Sequence, residues 1–186
     1  MANRAYLYSA NKELTQLRDL SEWRSEIPLF YKIILGCNTQ LADSKIWDYE
    51  HPIGIKGDFD KGLRKFYYFL TYLQTQTNLN TEALAGFKQE TMAFFEKYKE
   101  KEQELFFLEG GEVFDLIADI EPIEKQNESL YKEIVSISVD IDEILDKKPS
   151  NLFDFKNASW LTELQKDSSV LSVYWTHVTY FSFNKS

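Results

Sequence analysis

Hydrophobic residues recur along the chain at two spacings, and each spacing predicts a different kind of element. Tyr6 and Tyr8 alternate with smaller side chains between residues 4 and 9, which is typical of a half-buried strand. Pro28 suits the first position of a helix and Gly36 suits its end, so residues 28–35 are predicted to form a short helix.

Two longer segments carry the helical spacing most clearly. Asp58 is placed to cap a helix that runs to about residue 76, with apolar and aromatic residues on one face. After a turn, a second helix is expected from Thr81 to about residue 101. Its predicted buried residues are Leu84, Phe87, Met92, Phe95 and Tyr98. Two amphipathic helices joined by a short turn predict an antiparallel hairpin.

Residues 122–145 fit two periodicities. Apolar residues recur every three, four or seven positions from Ile123 to Ile144, as on the buried stripe of a helix. Residues 135–141 also alternate strictly between apolar and polar, as in a half-buried strand. We favour a single helix, because Pro122 stands at its start and no helix breaker follows it.

The remaining elements are predicted from short apolar runs and turn residues. Residues 105–108 and 113–117 read as strands joined by a glycine turn, and residues 46–57 as an irregular loop or a short edge strand. A helix or turn is expected at 160–164. Residues 170–183 are rich in β-branched and aromatic side chains and predict a long strand at the centre of the sheet.

These elements together predict an α+β fold. It is a mainly helical single domain, residues 1–186, with a small and mostly antiparallel sheet that includes the N- and C-terminal strands. Composition agrees, since 44% hydrophobic and 16% aromatic residues with only 7 Gly and 4 Pro exclude an intrinsically disordered chain. We expect a cytoplasmic protein, because no apolar leader, no bilayer-length apolar run and only one cysteine, Cys37, occur.

Acidic residues outnumber basic ones, 30 to 21, and the excess is local. Residues 105–154 hold 13 acidic and 4 basic groups, a difference equal to the whole net charge of -9. A negative field repels nucleic acid and anionic membranes, so neither is an expected partner. The same field attracts basic proteins, although an acidic face that only keeps the protein soluble is the simpler alternative.

Few residues indicate chemistry. The sequence contains no nucleophile elbow, phosphate-binding loop or dinucleotide fingerprint, and no HExxH or CxxC that would bind zinc. His51 follows acidic residues and His177 lies in the aromatic terminal segment, but a general base also needs a substrate site beside it. We therefore predict no cofactor, no metal site, no catalytic residue and no enzymatic activity.

A helix over residues 122–145 would combine small apolar groups with carboxylates on one side. An apolar centre with a charged rim is typical of protein-binding surfaces, while the alternative is that a third layer buries the valines as core. The predicted partner-binding residues are Glu121, Glu124, Glu128, Tyr131, Val135, Val139, Asp142, Glu143 and Asp146. A second candidate is the aromatic loop with Trp47, Tyr49 and His51, because exposed aromatic side chains often anchor interfaces.

Four segments carry a resemblance to a family. They are Met-Ala-Asn-Arg-Ala-Tyr-Leu-Tyr-Ser at the start, Ser-Lys-Ile-Trp-Asp at 44–48, Gly-Asp-Phe at 57–59 and Trp-Thr-His-Val-Thr-Tyr-Phe-Ser-Phe at 175–183. On these segments the chain resembles a little-studied family of small bacterial cytoplasmic proteins. The resemblance implies bacterial origin and a single domain, and it transfers no catalytic residue. Small acidic bacterial proteins of similar character are often immunity proteins, which neutralise a toxin by plugging its active site.

The leading hypothesis is a non-enzymatic protein-binding module, an immunity-type protein whose acidic surface blocks the active site of a bacterial toxin. Its partner would be a protein, with a basic toxin domain as the first candidate. A second hypothesis is a small enzyme that uses carboxylates with His51 or His177. A third is a regulatory or scaffold protein with a different partner. The sequence leaves the oligomeric state open.

Overall fold

The computed structural model describes residues 3–76, 78–97, 103–154 and 159–183. Within these ranges the chain forms five strands and six α-helices. The strands are β1 (Arg4–Ala10), β2 (Leu17–Arg24), β3 (Gln40–Ala42), β4 (Gly54–Asp58) and β5 (Leu105–Glu109). The helices are α1 (Leu29–Ile34), α2 (Phe59–Leu73), α3 (Thr81–Lys97), α4 (Gly111–Phe114), α5 (Ile123–Lys147) and α6 (Ser159–Lys166).

The strands form one antiparallel sheet in the order β2-β1-β5-β4-β3. At its centre Leu7 lies opposite Leu108, and Tyr8 lies opposite Phe107. Successive side chains point to opposite faces of a strand, so the two pairs belong to different faces. We call the face that carries Leu7 and Leu108 the helix face. The face that carries Tyr8 and Phe107 is the loop face. The predicted α+β class, mainly helical with a small antiparallel sheet, is confirmed.

The helix face carries the larger core. Phe66 and Phe69 of α2 are fully buried there, and Asp58 caps α2 by accepting a 2.9 Å hydrogen bond from the Lys61 N–H, as predicted. α2 approaches α1 closely at Gly62, where an added Cβ would lie 1.9 Å from the Ile34 carbonyl oxygen. Any side chain at this position would therefore push the two helices apart.

The 25-residue helix α5 settles the ambiguous segment in favour of the helix. Its stripe of buried residues is Leu130, Ile134, Ile137, Ile141 and Ile144. Ser138 donates a hydrogen bond to the Gly36 carbonyl oxygen and so fixes α5 to the end of α1. The strand alternative for residues 135–141 is wrong, because only the helical spacing places all of these isoleucines on one side.

The loop face is covered by irregular chain. Residues 172–183, which we call the strap, cross β2 and lie over β1. The Thr176 N–H binds the Leu20 carbonyl oxygen, whereas the N–H groups of Thr179 and Tyr180 bind the side chains of Asp19 and Glu22. The predicted strand over 170–183 is wrong, since these side-chain acceptors replace the regular ladder that a strand requires.

Four smaller expectations also need correction. Residues 113–117 are helical, not a strand, because Gly110 begins a turn in which its carbonyl oxygen accepts from the Phe114 N–H. β4 lies inside the sheet instead of at its edge, and β2 and β3 were not predicted at all. In α3, Met92 is 52% exposed instead of buried. Tyr98 lies outside the described residues.

Candidate functional site

The exposed side of α5 carries two uncovered valines. Val135 is 37% exposed and Val139 is 59% exposed, so no third layer buries them. Glu128 and Asp146 are exposed on the same side of the helix, about two turns before Val135 and about two turns after Val139. The predicted combination of small apolar groups and carboxylates is therefore present at one surface, which we call the α5 surface.

Two of the predicted carboxylates on α5 are already paired within the chain. The Asp142 carboxylate forms an ion pair with the Lys65 ammonium at 2.7 Å. This nearly buried ammonium also donates a hydrogen bond to the Ser138 hydroxyl. Glu143 pairs with Lys147 one turn further along the helix. These partners lower the field that Asp142 and Glu143 present to another protein. Glu128 and Asp146 are the better sources of that field.

The aromatic loop, residues 46–53, meets the N-terminal end of α5. The Tyr49 hydroxyl donates a 2.9 Å hydrogen bond to the Glu124 carboxylate, and the Asn127 amide donates to the carbonyl oxygen of Pro52 at 3.1 Å. The pKa of Glu124 is held below its usual value by a backbone N–H and by the Tyr49 hydroxyl. The first and second predicted sites therefore meet at the contact between Glu124 and Tyr49.

A buried carboxylate holds the chain just before this loop. Glu109 of β5 points to the loop face, where the Ser44 hydroxyl donates to it at 2.8 Å and the Lys45 N–H also donates. Burial raises the pKa of Glu109 to about 7, although these hydrogen bonds act in the opposite direction. Glu109 therefore ties β5 to the chain that enters the aromatic loop, through a carboxyl group whose raised pKa makes it sensitive to pH near neutrality.

Trp47 lies against the start of α4. An added Cβ at Gly111 would come within 2.6 Å of the Trp47 Nε1 atom, so the glycine makes room for the indole. Trp47 nevertheless remains exposed in part, as do Tyr49 and His51. All three predicted loop residues can thus reach a partner.

Sequence reasoning missed an exposed apolar segment between α4 and α5. Leu116, Ile117 and Ile120 are all exposed, and Ile120 is 84% exposed. We call these three residues the apolar segment. It was missed because residues 113–117 were assigned to a strand, in which Leu116 or Ile117 would face the core. The available signal was the spacing of Val113, Phe114, Leu116 and Ile117, which does not alternate between apolar and polar as a half-buried strand requires.

The residues that could carry chemistry are dispersed. The His51 and Tyr49 rings meet edge-on with their centroids 6.4 Å apart. The His177 ring stacks on Phe94 of α3 with a centroid distance of 4.5 Å. Burial raises the pKa of the Cys37 thiol, which disfavours the reactive thiolate. In the part of the chain that the structure describes, no group of three or more His, Cys, Asp or Glu could hold a metal ion. The same residues include no helix long and apolar enough to cross a membrane.

A cavity of about 620 Å³ lies where the C-terminal ends of α2 and α5 meet. Tyr68, Tyr72 and Leu145 form its aromatic and apolar walls, and Lys148 and Gln76 lie at its polar side. The Tyr72 hydroxyl is already bound to the Pro149 carbonyl oxygen at 2.9 Å, and Gln76 accepts from the Leu152 N–H. The Tyr72 hydroxyl and the Gln76 amide are therefore already used by the fold.

Comparison with known proteins identifies a family for this chain. No curated protein and no solved structure matches the chain. A family model described as a domain of unknown function, DUF7822, matches residues 5–149. The matched range contains the whole sheet and α1–α5, and it ends before the strap. The chain belongs to this family of domains of unknown function, DUF7822.

Proposed function

We propose that this protein is a non-enzymatic protein-binding module of bacterial origin, an immunity-type protein that blocks the active site of a toxin. The α5 surface and the aromatic loop form the binding surface. One observation carries the proposal: Val135 and Val139 are exposed on a helix whose buried stripe is already complete. Apolar groups that the fold leaves uncovered among carboxylates fit the apolar centre and charged rim of an interface.

The local charge supports a basic partner. All of the net charge of -9 is accounted for by residues 105–154, which include the apolar segment and all of α5. Toxins that act on nucleic acid or other anionic substrates have basic clefts, and an acidic inhibitor is attracted to such a cleft over long range. Electrostatic attraction of this kind mainly raises the association rate, and salt weakens it.

The neighbouring genes supply the decisive test. If the protein is an immunity protein, an adjacent gene should encode a toxin domain, and the purified domain should bind this protein and lose its activity. Purification of the neighbouring domain, followed by a binding titration and a toxicity assay in cells with and without this protein, measures both. A neighbour that neither binds nor is inhibited contradicts the proposal.

Charge variants test the surface itself. Glu128→Lys and Asp146→Lys should slow association severalfold at low salt, and the difference should shrink as salt rises. Glu90→Lys is the matched control, because Glu90 is exposed on α3, away from α5. Asp142→Lys is a poorer variant, since it would place a second ammonium beside Lys65 and disturb the fold.

Apolar variants report on the centre of the surface. Val135→Arg and Val139→Arg should speed dissociation, because each would place an unpaired charge in the desolvated middle of the contact. Kinetic titration at two salt concentrations separates this effect from the charge effect. Wild-type affinity in all four variants, the two charge reversals and the two valine replacements, would show that the interface does not lie on α5.

A further inference from the structure

We propose that the apolar segment, Leu116, Ile117 and Ile120, is the anchor of the binding surface, and that it receives an apolar stripe flanked by lysines or arginines on a partner protein. This inference rests on the proposed function and names the chemistry of the partner. It also shifts the expected centre of binding energy from the valines of α5 to the turn before that helix.

Exposure is the first observation. Leu116, Ile117 and Ile120 lie within five positions of one another and are all exposed, and Ile120 is the most exposed large hydrophobic residue described. Single exposed apolar residues are ordinary on protein surfaces, but a cluster rimmed by polar groups marks an interaction site. Burial of a larger apolar side chain removes more apolar area from water, so a partner gains more from each of these residues than from Val135.

The apolar segment is also held in a fixed shape. The buried side-chain amide of Gln126 donates to the carbonyl oxygens of Phe114 at 2.9 Å and of Glu121 at 2.7 Å, so one side chain ties both ends of the turn together. The N–H groups of Ile120 and Glu121 bind the Ile117 carbonyl oxygen. A segment that is already ordered loses little conformational entropy on binding, which favours its use as an anchor.

The aromatic loop touches the chain on either side of the apolar segment. Trp47 packs on Gly111, which precedes the segment, and Tyr49 binds Glu124, which follows it. Two partly exposed aromatic residues are therefore held against the chain just before and just after the apolar segment. α5 begins directly after this segment, and Val135 and Val139 lie further along the same helix.

Charge selects the occupant. Between Glu112 and Glu128 the sequence contains six acidic residues and a single basic one, Lys125. A second copy of this acidic chain, a nucleic acid and an anionic membrane would all be repelled. Lysine or arginine side chains that flank an apolar stripe would instead meet the carboxylates of Asp115, Asp119 and Glu121 around the anchor.

The test uses the full chain and a synthetic probe. The probe is a 15-residue helical peptide of leucine and lysine with the leucines on one face, and the control peptide has the same composition in scrambled order. Binding is measured by calorimetry and by amide chemical shifts at two salt concentrations. We expect the largest shifts at residues 115–121 and 47–51, and weaker binding of the scrambled peptide.

Matched variants make the result specific. Ile120→Ser should weaken binding of the amphipathic peptide about tenfold or more, as expected for a central anchor residue. Val178→Ser should change it less than twofold, because Val178 is comparably exposed, at 77%, but lies on the strap. Both variants change an exposed side chain, so both should remain folded, and their amide spectra check this.

The outcomes separate the two proposals. If Glu128→Lys and Asp146→Lys weaken binding but Ile120→Ser does not, this inference is overturned and the proposed α5 surface stands. If Ile120→Ser weakens binding and the charge reversals do not, the anchor stands and the proposed role of the acidic α5 surface fails. Equal binding of the two peptides, or no binding at low salt, overturns the anchor.

Discussion

The two faces of the sheet are closed in different ways. The helix face is covered by regular helices, and its core is formed by apolar side chains such as Phe66, Phe69 and Ile137, while polar groups buried beside them, such as Gln126 and Asn127, are uncharged. The loop face is covered by the aromatic loop and the strap, and it buries carboxylates and hydroxyls, among them Glu109, Asp19 and Tyr8. Irregular chain needs acceptors for its free N–H groups, and the buried polar side chains supply them.

The comparison separates stability from recognition. Apolar burial supplies most of the stability of the helix face, whereas the polar contacts of the loop face help to hold the aromatic loop and the end of the strap. Mutations on the helix face should therefore mainly change the free energy of unfolding. Mutations on the loop face should change the aromatic loop, the strap and the response to pH.

Truncation of a large side chain on the helix face should have the largest effect. Phe66→Ala should lower the free energy of unfolding by about 3–5 kcal/mol, because it leaves a cavity in a fully buried site. Met92→Ala, on the exposed side of α3, should change it by less than about 0.5 kcal/mol. Urea denaturation measures both changes. A free energy of unfolding of Phe66→Ala close to that of the wild type would mean that α2 does not hold the core together.

Removal of the buried charge on the loop face should change how stability depends on pH. The pKa of Glu109 in the folded protein, about 7, lies above its ordinary value of 4.5. The stability from this group is therefore complete below pH 4.5 and is lost as pH rises through 7. Between pH 4 and pH 8.5 the free energy of unfolding of the wild type should fall by on the order of 3 kcal/mol more than that of Glu109→Gln.

Urea denaturation of the two proteins at both pH values checks this difference. Glu90→Gln is the control, because Glu90 is an exposed residue of α3 and its loss should leave the pH dependence of the wild type. The opposite sign, or equal losses in the wild type and Glu109→Gln, would show that Glu109 does not titrate in this range.

Loss of one strap contact should have a smaller effect. The buried Tyr8 hydroxyl donates to the Phe181 carbonyl oxygen at 2.7 Å, so Tyr8→Phe should lower the free energy of unfolding by about 1–2 kcal/mol. Tyr68→Phe alters an exposed tyrosine of α2 and should change it by less than about 0.5 kcal/mol. Chemical denaturation compares the two, and amide exchange in the strap should rise only in Tyr8→Phe.

Substitutions on the exposed side of α5 should have the smallest effect on folding. Val135→Arg and Val139→Arg should each change the free energy of unfolding by less than about 0.5 kcal/mol, since both side chains face solvent. Ile137→Arg, on the buried stripe, should unfold the protein. Circular dichroism and thermal melting distinguish them. Unfolding of Val139→Arg would mean that this side of α5 is core.

The sequence by itself determined the elements with long, unbroken periodicity. α2 and α5 were predicted because an apolar stripe repeated every three or four residues can be buried only by a helix. β1 and α1 followed from alternation and from Pro28 with Gly36. The acidic side of α5 was also predicted, because a helix that buries one stripe of side chains exposes the side chains on its opposite side.

Only the tertiary structure decided what covers each surface. The strap failed to form a strand although its composition favours one, because pairing depends on distant partners such as Asp19 and Glu22. The exposure of Val135 and of the apolar segment and the contact of Tyr49 with Glu124 depend in the same way on what the rest of the chain covers. Local spacing fixes which side of an element is apolar, whereas tertiary packing decides whether that side is covered.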